Sequence, residues 1–339
     1  MKRDIYWDSL KFVLIFLVVY GHAIEKYDPV GSFNHAMHYF IFIFHMPLFI
    51  FVSGRFSQLK DKRRYLMGMV RVLETYLVFQ IVKTFIRPII FHEDIGCSSI
   101  YAFFMGPGWT LWYLLSLLWW RLIVFIIPSK VLDQHPCYVL LVCFIVSVCG
   151  GFIPVDGQLS FQRTLAFLPF FFMGYYSVKI DVRQWINKIP RILAITTILL
   201  FFSTLLFTLK AEFPNVQLDR HASYFDKNYP MELCCLMRCV LFLLAIVLGV
   251  VLMRIVPGNK SLALWGRETL FVYIYHSFII TALRYIATLG FLPVNEFALF
   301  LYSIVITMGL VFLARIPHFN FMSFMLNPVS NLISKKGSI

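Results

Sequence analysis

The sequence predicts an all-α fold, a polytopic integral membrane bundle of about ten transmembrane helices with both termini cytoplasmic, and three observations predict it. Hydrophobic residues make up 60% of the 339 positions, aromatic residues 18% and charged residues only 14%, too little polar surface to cover a water-soluble domain. Ten apolar stretches approach the length needed to cross a hydrocarbon core about 30 Å thick. Lys and Arg also alternate sides: if the N-terminus is cytoplasmic, nineteen fall in inside segments and five in outside segments, the bias that orients membrane helices. The formal net charge of +13 is therefore read as topology, and no nucleic-acid partner is expected. The N-terminal residues are not read as a cleaved signal, because no small-residue cleavage site precedes a soluble domain. The cysteines have no metal-ligand spacing; core packing is expected for them, and no metal site.

In chain order the stretches run approximately over 9–25, 39–56, 72–91, 109–128, 136–153, 161–178, 190–209, 232–256, 268–289 and 295–314. The first carries Asp8 and Lys11 near its start and His22 near its end. On a helix, Lys11 and His22 lie within about 20° of one face and roughly 16 Å apart along the axis. A histidine this far into a span wants a polar partner or a wet cavity; packing in a bundle is the alternative. Between the second and third stretches stands the basic run Lys60, Lys62, Arg63, Arg64 and Arg71, and the longest outside loop, near 210–231, holds Asp219, Arg220, His221, Asp226 and Lys227. Lys83, Arg87, Arg121, Arg238 and Arg284 fall inside spans, with His45 and His276. Each central charge costs about 2.5–3.5 kcal/mol on insertion scales, so these groups are expected to line a shared polar interior. With Asp8 and Glu74 as the obvious acids, that interior reads as net basic and anion-attracting; Arg87 and Arg284 have the alternative of snorkelling to an interface.

Six strings in the same order carry a resemblance over nearly the whole chain. They are DSLK followed by His22; FHMPLFIFVSG at 44–54; RRYLMGMVRVLETY at 63–76; GWTLWYLLSLLWWR at 108–121; RTLAFLPFFFMGYY at 163–176; and LWGRETLFVYIYH at 264–276. Together they resemble the acyltransferase family 3 proteins, whose first helix has Arg or Lys followed eleven positions later by His, and the fucose 4-O-acetylase-like subgroup in particular. The chain departs from the pattern at Gly68, which stands at the first position of the family's Arg-x-x-Arg before the third helix, and at Thr75, where proline is common; Lys11 stands where Arg is frequent.

The resemblance implies a single domain over 1–339 that transfers an acyl group, usually acetyl from acetyl-CoA, to a hydroxyl of a cell-surface glycan or glycolipid sugar at a bacterial cytoplasmic membrane. Such a reaction needs a base for the hydroxyl proton and groups that hold both substrates. His22 is the expected base, Lys11 the group that positions the donor, and Asp8 the ion-pair partner of Lys11. Arg63, Arg64 and Arg71 are expected to hold the phosphates of an acyl-CoA co-substrate, with the positive-inside rule alone as the other explanation. Trp109, Trp112 and Tyr113 are placed either to stack on a sugar or in an interfacial aromatic belt; His45, Arg163 and His276 either support the acceptor or bond structurally. Pro169 is expected to kink its helix and Gly174 to allow close approach. The rival function is a transporter or flippase for an anionic sugar or lipid-linked glycan.

Overall fold

The computed structural model describes residues 4–86, 101, 103–108, 110–154, 157–208, 223–226, 229–317 and 320–331. Arg87, Cys97, Trp109, most of the 210–231 loop including Asp219, Arg220, His221 and Lys227, and the terminal Lys2, Arg3, Lys335 and Lys336 lie outside the described residues. Among the described residues all regular structure is helical. Ten helices fall at the ten expected stretches: α1 (Ile5–Ile24), α2 (Phe33–Arg55), α3 (Lys62–Ile81), α4 (Trp112–Ile126), α5 (Pro136–Cys149), α6 (Phe161–Tyr176), α7 (Arg191–Thr208), α8 (Met231–Ile255), α9 (Thr269–Thr288) and α10 (Glu296–Leu313). Among the described residues seven helices are long and apolar enough to cross a membrane, α3 and α9 counted with the helical turns that adjoin them, and the chain is a multi-pass membrane protein. The other three, α4, α5 and α6, have 15, 14 and 16 residues, about 21–24 Å at 1.5 Å per residue.

The largest revision of boundaries is in α3, which starts at Lys62, well before the apolar stretch that begins near 72. Asp61 explains the early start: its side chain accepts the backbone N–H of Arg64 at 2.7 Å, satisfying a donor that the first helical turn leaves orphaned. Hydropathy detects where a helix becomes lipid-soluble; the cap determines where it begins. At its far end α3 passes into a π-helical turn, Val82–Ile86, that carries Lys83.

The chain divides into two compact units. The first comprises Met1–Val52, Ser177–Leu218 and Leu236–Arg315, and α1 is at its centre. Of the most apolar windows of the helices, 72% is buried in α1 and 78% in α2, against 6% in α7, so α1 and α2 form the interior while α7 lies at the periphery, packing Phe201, Phe202 and Leu205 on the core. Leu10, Leu14, Ile15, Val18 and Val19 are buried along α1, packing against α9, α10 and the short helix Lys260–Trp265. Polar contacts tie down its first turns: Tyr6 Oη donates to Met253 O at 2.6 Å, and Ser9 Oγ donates to Asn259 O at 2.9 Å while accepting Asn259 N–H at 3.1 Å. Gly266 sits so close to α1 that a Cβ there would be 1.9 Å from the Asp8 carbonyl oxygen.

The second unit comprises Ser53–Tyr176, Asp219–Cys235 and Ile316–Ile339. Its α4, α5 and α6 are joined by buried polar contacts that suit a setting without water: Ser116 Oγ lies 2.8 Å from Thr164 Oγ1, Trp120 Nε1 donates to Thr164 O at 2.9 Å, and Ser147 Oγ donates to Ala166 O at 2.8 Å. Pro169 lies inside α6. Gly54 approaches α6 closely: a Cβ there would be 1.9 Å from the Phe171 carbonyl oxygen. Cys143 and Cys234 are buried, whereas Cys137 and Cys149 are exposed and so do not serve the core packing expected of them.

Gly266→Ala would drive a methyl into the Asp8 backbone, and overpacking of this kind costs about 1–3 kcal/mol. Thermal melting of the detergent-solubilised protein should show a clear loss of stability for Gly266→Ala. Gly309→Ala, whose Cβ meets nothing within 4 Å, should melt as wild type or slightly higher, because alanine favours a helix over glycine.

Candidate active site

The two polar ends of α1 are built differently. At the N-terminal end Lys11 Nζ lies 2.5 Å from Asp8 Oδ1, with the carboxylate 5% and the lysine 23% exposed. The i,i+3 spacing puts both on one face, and burial of Asp8 beneath neighbouring backbone keeps the carboxylate from turning to solvent. This is the ion pair that the sequence suggests.

At the C-terminal end His22 is held by residues that sequence reasoning missed. His22 Nδ1 lies 3.4 Å from Glu25 Oε2, one turn further along. The same oxygen accepts Arg284 Nη2 from α9 at 3.2 Å, and that nitrogen also donates to the His22 carbonyl oxygen at 2.5 Å. One carboxylate is thus shared by an imidazole and a guanidinium, with 14% of the histidine side chain, 14% of the arginine and 27% of the glutamate exposed. An ionised Glu25 favours the tautomer with the proton on Nδ1, leaving Nε2 on the other side of the ring as a proton acceptor. The spacing of His22 and Glu25 in sequence was signal enough to propose their contact; the contribution of Arg284, 259 residues later, has no local signature.

His276, from α9, stacks on His22 with ring centroids 5.6 Å apart and planes at 21°. It is fully buried, its Nδ1 lies 3.1 Å from Val272 O, and its Nε2 has no hydrogen-bond partner among the described residues. The edge of His22 meets Phe42 at 5.8 Å. His45 is also buried, but its Nδ1 turns back to Ile41 O at 2.7 Å and its ring packs on Phe42, a structural bonding role within α2. Arg238 is buried in α8. Arg284, for which snorkelling was one expectation, is instead engaged by Glu25.

The remaining expected residues belong to the second unit. Trp112 has Phe167 stacked on it at 5.6 Å and the Arg163 guanidinium over its ring at 4.9 Å. Tyr113 is buried, with Oη 2.6 Å from Ser53 Oγ. Arg63, Arg64 and Arg71 are exposed along α3. Gly68 shares the stripe of Arg64 and Arg71, since positions four and seven apart fall on one helical face. Over Gly68 lies the Arg121 guanidinium of α4: a Cβ at Gly68 would be 3.4 Å from Arg121 Nη1. Arg121 also rests on Tyr65, 5.2 Å from the ring centroid, and its Nε is buried without a hydrogen-bond partner among the described residues. Glu74 does not neutralise this face, because its carboxylate accepts the Ser330 N–H at 3.1 Å and the Ser330 hydroxyl at 2.7 Å.

A multi-pass helical protein with a carboxylate-held imidazole near the end of its central helix has the parts of a membrane-embedded group-transfer enzyme. A family model of the acyltransferase domain, type 3, matches residues 4–316, and the chain belongs to acyltransferase family 3. It is an O-acyltransferase. No curated protein and no solved structure matches it.

Breaking a buried pair from one side leaves an uncompensated charge, which costs more than removing both partners. Arg284→Met is therefore expected to destabilise the solubilised protein more than Arg284→Met combined with Glu25→Gln. A double-mutant cycle on melting should give a coupling of about 0.5–3 kcal/mol; strict additivity would mean that Glu25 and Arg284 do not interact.

Proposed function

We propose that this acyltransferase moves an acetyl group from acetyl-CoA to a hydroxyl of a cell-surface glycan or glycolipid sugar, with His22 as general base. The observation that carries the reading is the Glu25 carboxylate on His22 Nδ1, the arrangement by which an imidazole is oriented for proton transfer at its other nitrogen. In the proposed reaction His22 Nε2 takes the proton from the acceptor hydroxyl, and the oxygen attacks the thioester carbonyl carbon. The carbon–sulfur bond breaks, and the CoA thiolate receives a proton as it departs. Lys11, three turns from His22 on an unbroken helix, supplies a point charge that positions the donor, and Asp8 keeps its ammonium in place. His276 supports the His22 ring by stacking.

For the donor, Arg63, Arg64 and Arg71 offer guanidiniums on the exposed face of α3, and Arg121 adds one over Gly68, where the helix itself has no side chain. Guanidiniums suit phosphate oxygens because their fork of N–H donors matches them. The reading adopts ten spans with both termini cytoplasmic, one domain over the whole chain, and a bacterial cytoplasmic membrane, so that the basic start of α3 faces the compartment where acetyl-CoA is made. Membership of an acyltransferase family favours this over the transporter reading.

In membranes carrying the full chain, His22→Ala should lower transfer from acetyl-CoA by about 10² to 10⁴. Lys11→Ala should act mainly on the apparent KM for acetyl-CoA, the signature of lost binding common to ground and transition states. Measured kcat and KM separate the two, and an unchanged donor KM in Lys11→Ala would remove the role assigned to that residue. Mass spectrometry of surface glycans, with and without the chain, should reveal the gain of one acetyl group.

A further inference from the structure

The His22–Glu25 pair has a counterpart that the mechanism above does not use. In the connection from α1 to α2, Asp28 Oδ2 is hydrogen-bonded to His38 Nδ1, and His35 Nδ1 lies 3.9 Å from the same oxygen. The two pairs share a wall: Phe42 meets the edge of His38 at 4.2 Å and that of His22 at 5.8 Å. Both pairs keep some access, with His38 11% and Asp28 15% exposed.

Around Asp28 the polar groups are under-used. His35 is 3% exposed, yet neither of its ring nitrogens has a hydrogen-bond partner among the described residues, and the same holds for Asn34 Oδ1. The Asn34 amide is fixed by donation from Nδ2 to Tyr27 O at 2.9 Å, so its oxygen is oriented rather than free to rotate. Buried polar groups left without partners cost about 1–3 kcal/mol each, and a cluster of them beside a reactive group is the mark of a surface that completes its hydrogen bonds with a ligand.

We propose that Asp28, His38 and their neighbours Asn34 and His35 form the seat of the acceptor, and that this seat takes an uncharged sugar. The proposal rests on the acetyl-transfer reading above and names the partner of His22 in it. Asp28 holds His38 by Nδ1, which leaves Nε2 to accept a hydroxyl adjacent to the one that loses its proton to His22. The mixture of imidazole nitrogens, amide oxygen and carboxylate suits hydroxyl groups, which both donate and accept. Charge sets the class: Asp28 places a carboxylate in the seat itself, and the Arg284 guanidinium is already engaged by Glu25. A phosphate or uronate would meet repulsion there.

The test uses the solubilised full chain with acetyl-CoA and two defined acceptors, methyl glucoside and methyl glucuronoside. Wild type should favour the neutral glycoside. His38→Ala and Asp28→Asn should raise the KM for methyl glucoside about 10- to 100-fold, the range for a lost hydrogen bond with charged character, while the KM for acetyl-CoA stays within about twofold, which also certifies the fold. His38→Gln, whose amide oxygen can accept a hydroxyl where Nε2 does, should retain more acceptor affinity than His38→Ala. Unchanged acceptor KM, or acceptor and donor KM rising together, overturns the inference. Consumption of acetyl-CoA by wild type without transfer to either glycoside overturns it too, but leaves the acyl-transfer reading standing; no consumption of acetyl-CoA at all defeats that reading itself.

Discussion

A single carboxylate, that of Glu25, carries the constraint on which the C-terminal end of α1 depends. Within a low-dielectric bundle an unpaired charge is expensive, and Glu25 compensates the Arg284 guanidinium while also bonding His22. The guanidinium is held in turn by the His22 carbonyl oxygen, so the contact fixes backbone as well as side chain. The same arrangement that neutralises Arg284 also sets the orientation of the imidazole. Stability and reactivity at this point have a common cause, and neither element supplies it alone: α1 brings the imidazole, its last carbonyls and the carboxylate, α9 the guanidinium and the stacked His276.

The two units treat charge in opposite ways. In the first, Lys11 has Asp8, Arg284 has Glu25 and His38 has Asp28, so these ionisable groups are paired within the buried helices α1 and α2 and their connection. In the second, the acids that might have compensated α3 are used elsewhere: Asp61 caps the helix, and Glu74 holds the backbone and hydroxyl of Ser330. Its cations are left facing outward, with Arg121 added to the stripe through the space that Gly68 leaves. A face arranged in this way favours an anion, which fits the donor role proposed for it, and the paired end of α1 fits the proton transfer proposed there.

Much of this was legible in the sequence where the signal was periodic or local. The stripe of Lys11 and His22, the i,i+3 pairing of Asp8 with Lys11, and the positions of the ten helices all follow from spacing and apolar runs. The start of α3 was misplaced because hydropathy ignores a cap, although Asp61 stood in plain sight before a run of helix formers. The partners of Arg284 and the ring stack of His276 on His22 were not legible, because each joins residues more than 250 positions apart and nothing in either segment names the other. The contacts of His45 and Trp112 were not legible either: the former is bonded to a backbone carbonyl, and the latter has Phe167 and Arg163 against its ring.

The departures from the family pattern also have a physical logic under the acetyl-transfer reading. An ammonium at position 11 is a compact point charge, and Asp8 holds it at 2.5 Å on the same helix face; a planar fork of five donors would ask for more acceptors than that buried turn provides. At Gly68 the chain gives up a side chain on α3 and receives a guanidinium from α4, whose position is set by Tyr65: the tyrosine ring lies under the guanidinium and its hydroxyl donates to the Arg121 carbonyl oxygen at 3.0 Å. A side chain supported at both its head and its own backbone loses less freedom on binding than an arginine projecting from an exposed helix. The chain therefore puts its planar donors where phosphate geometry rewards them and a point charge where only sign and distance matter.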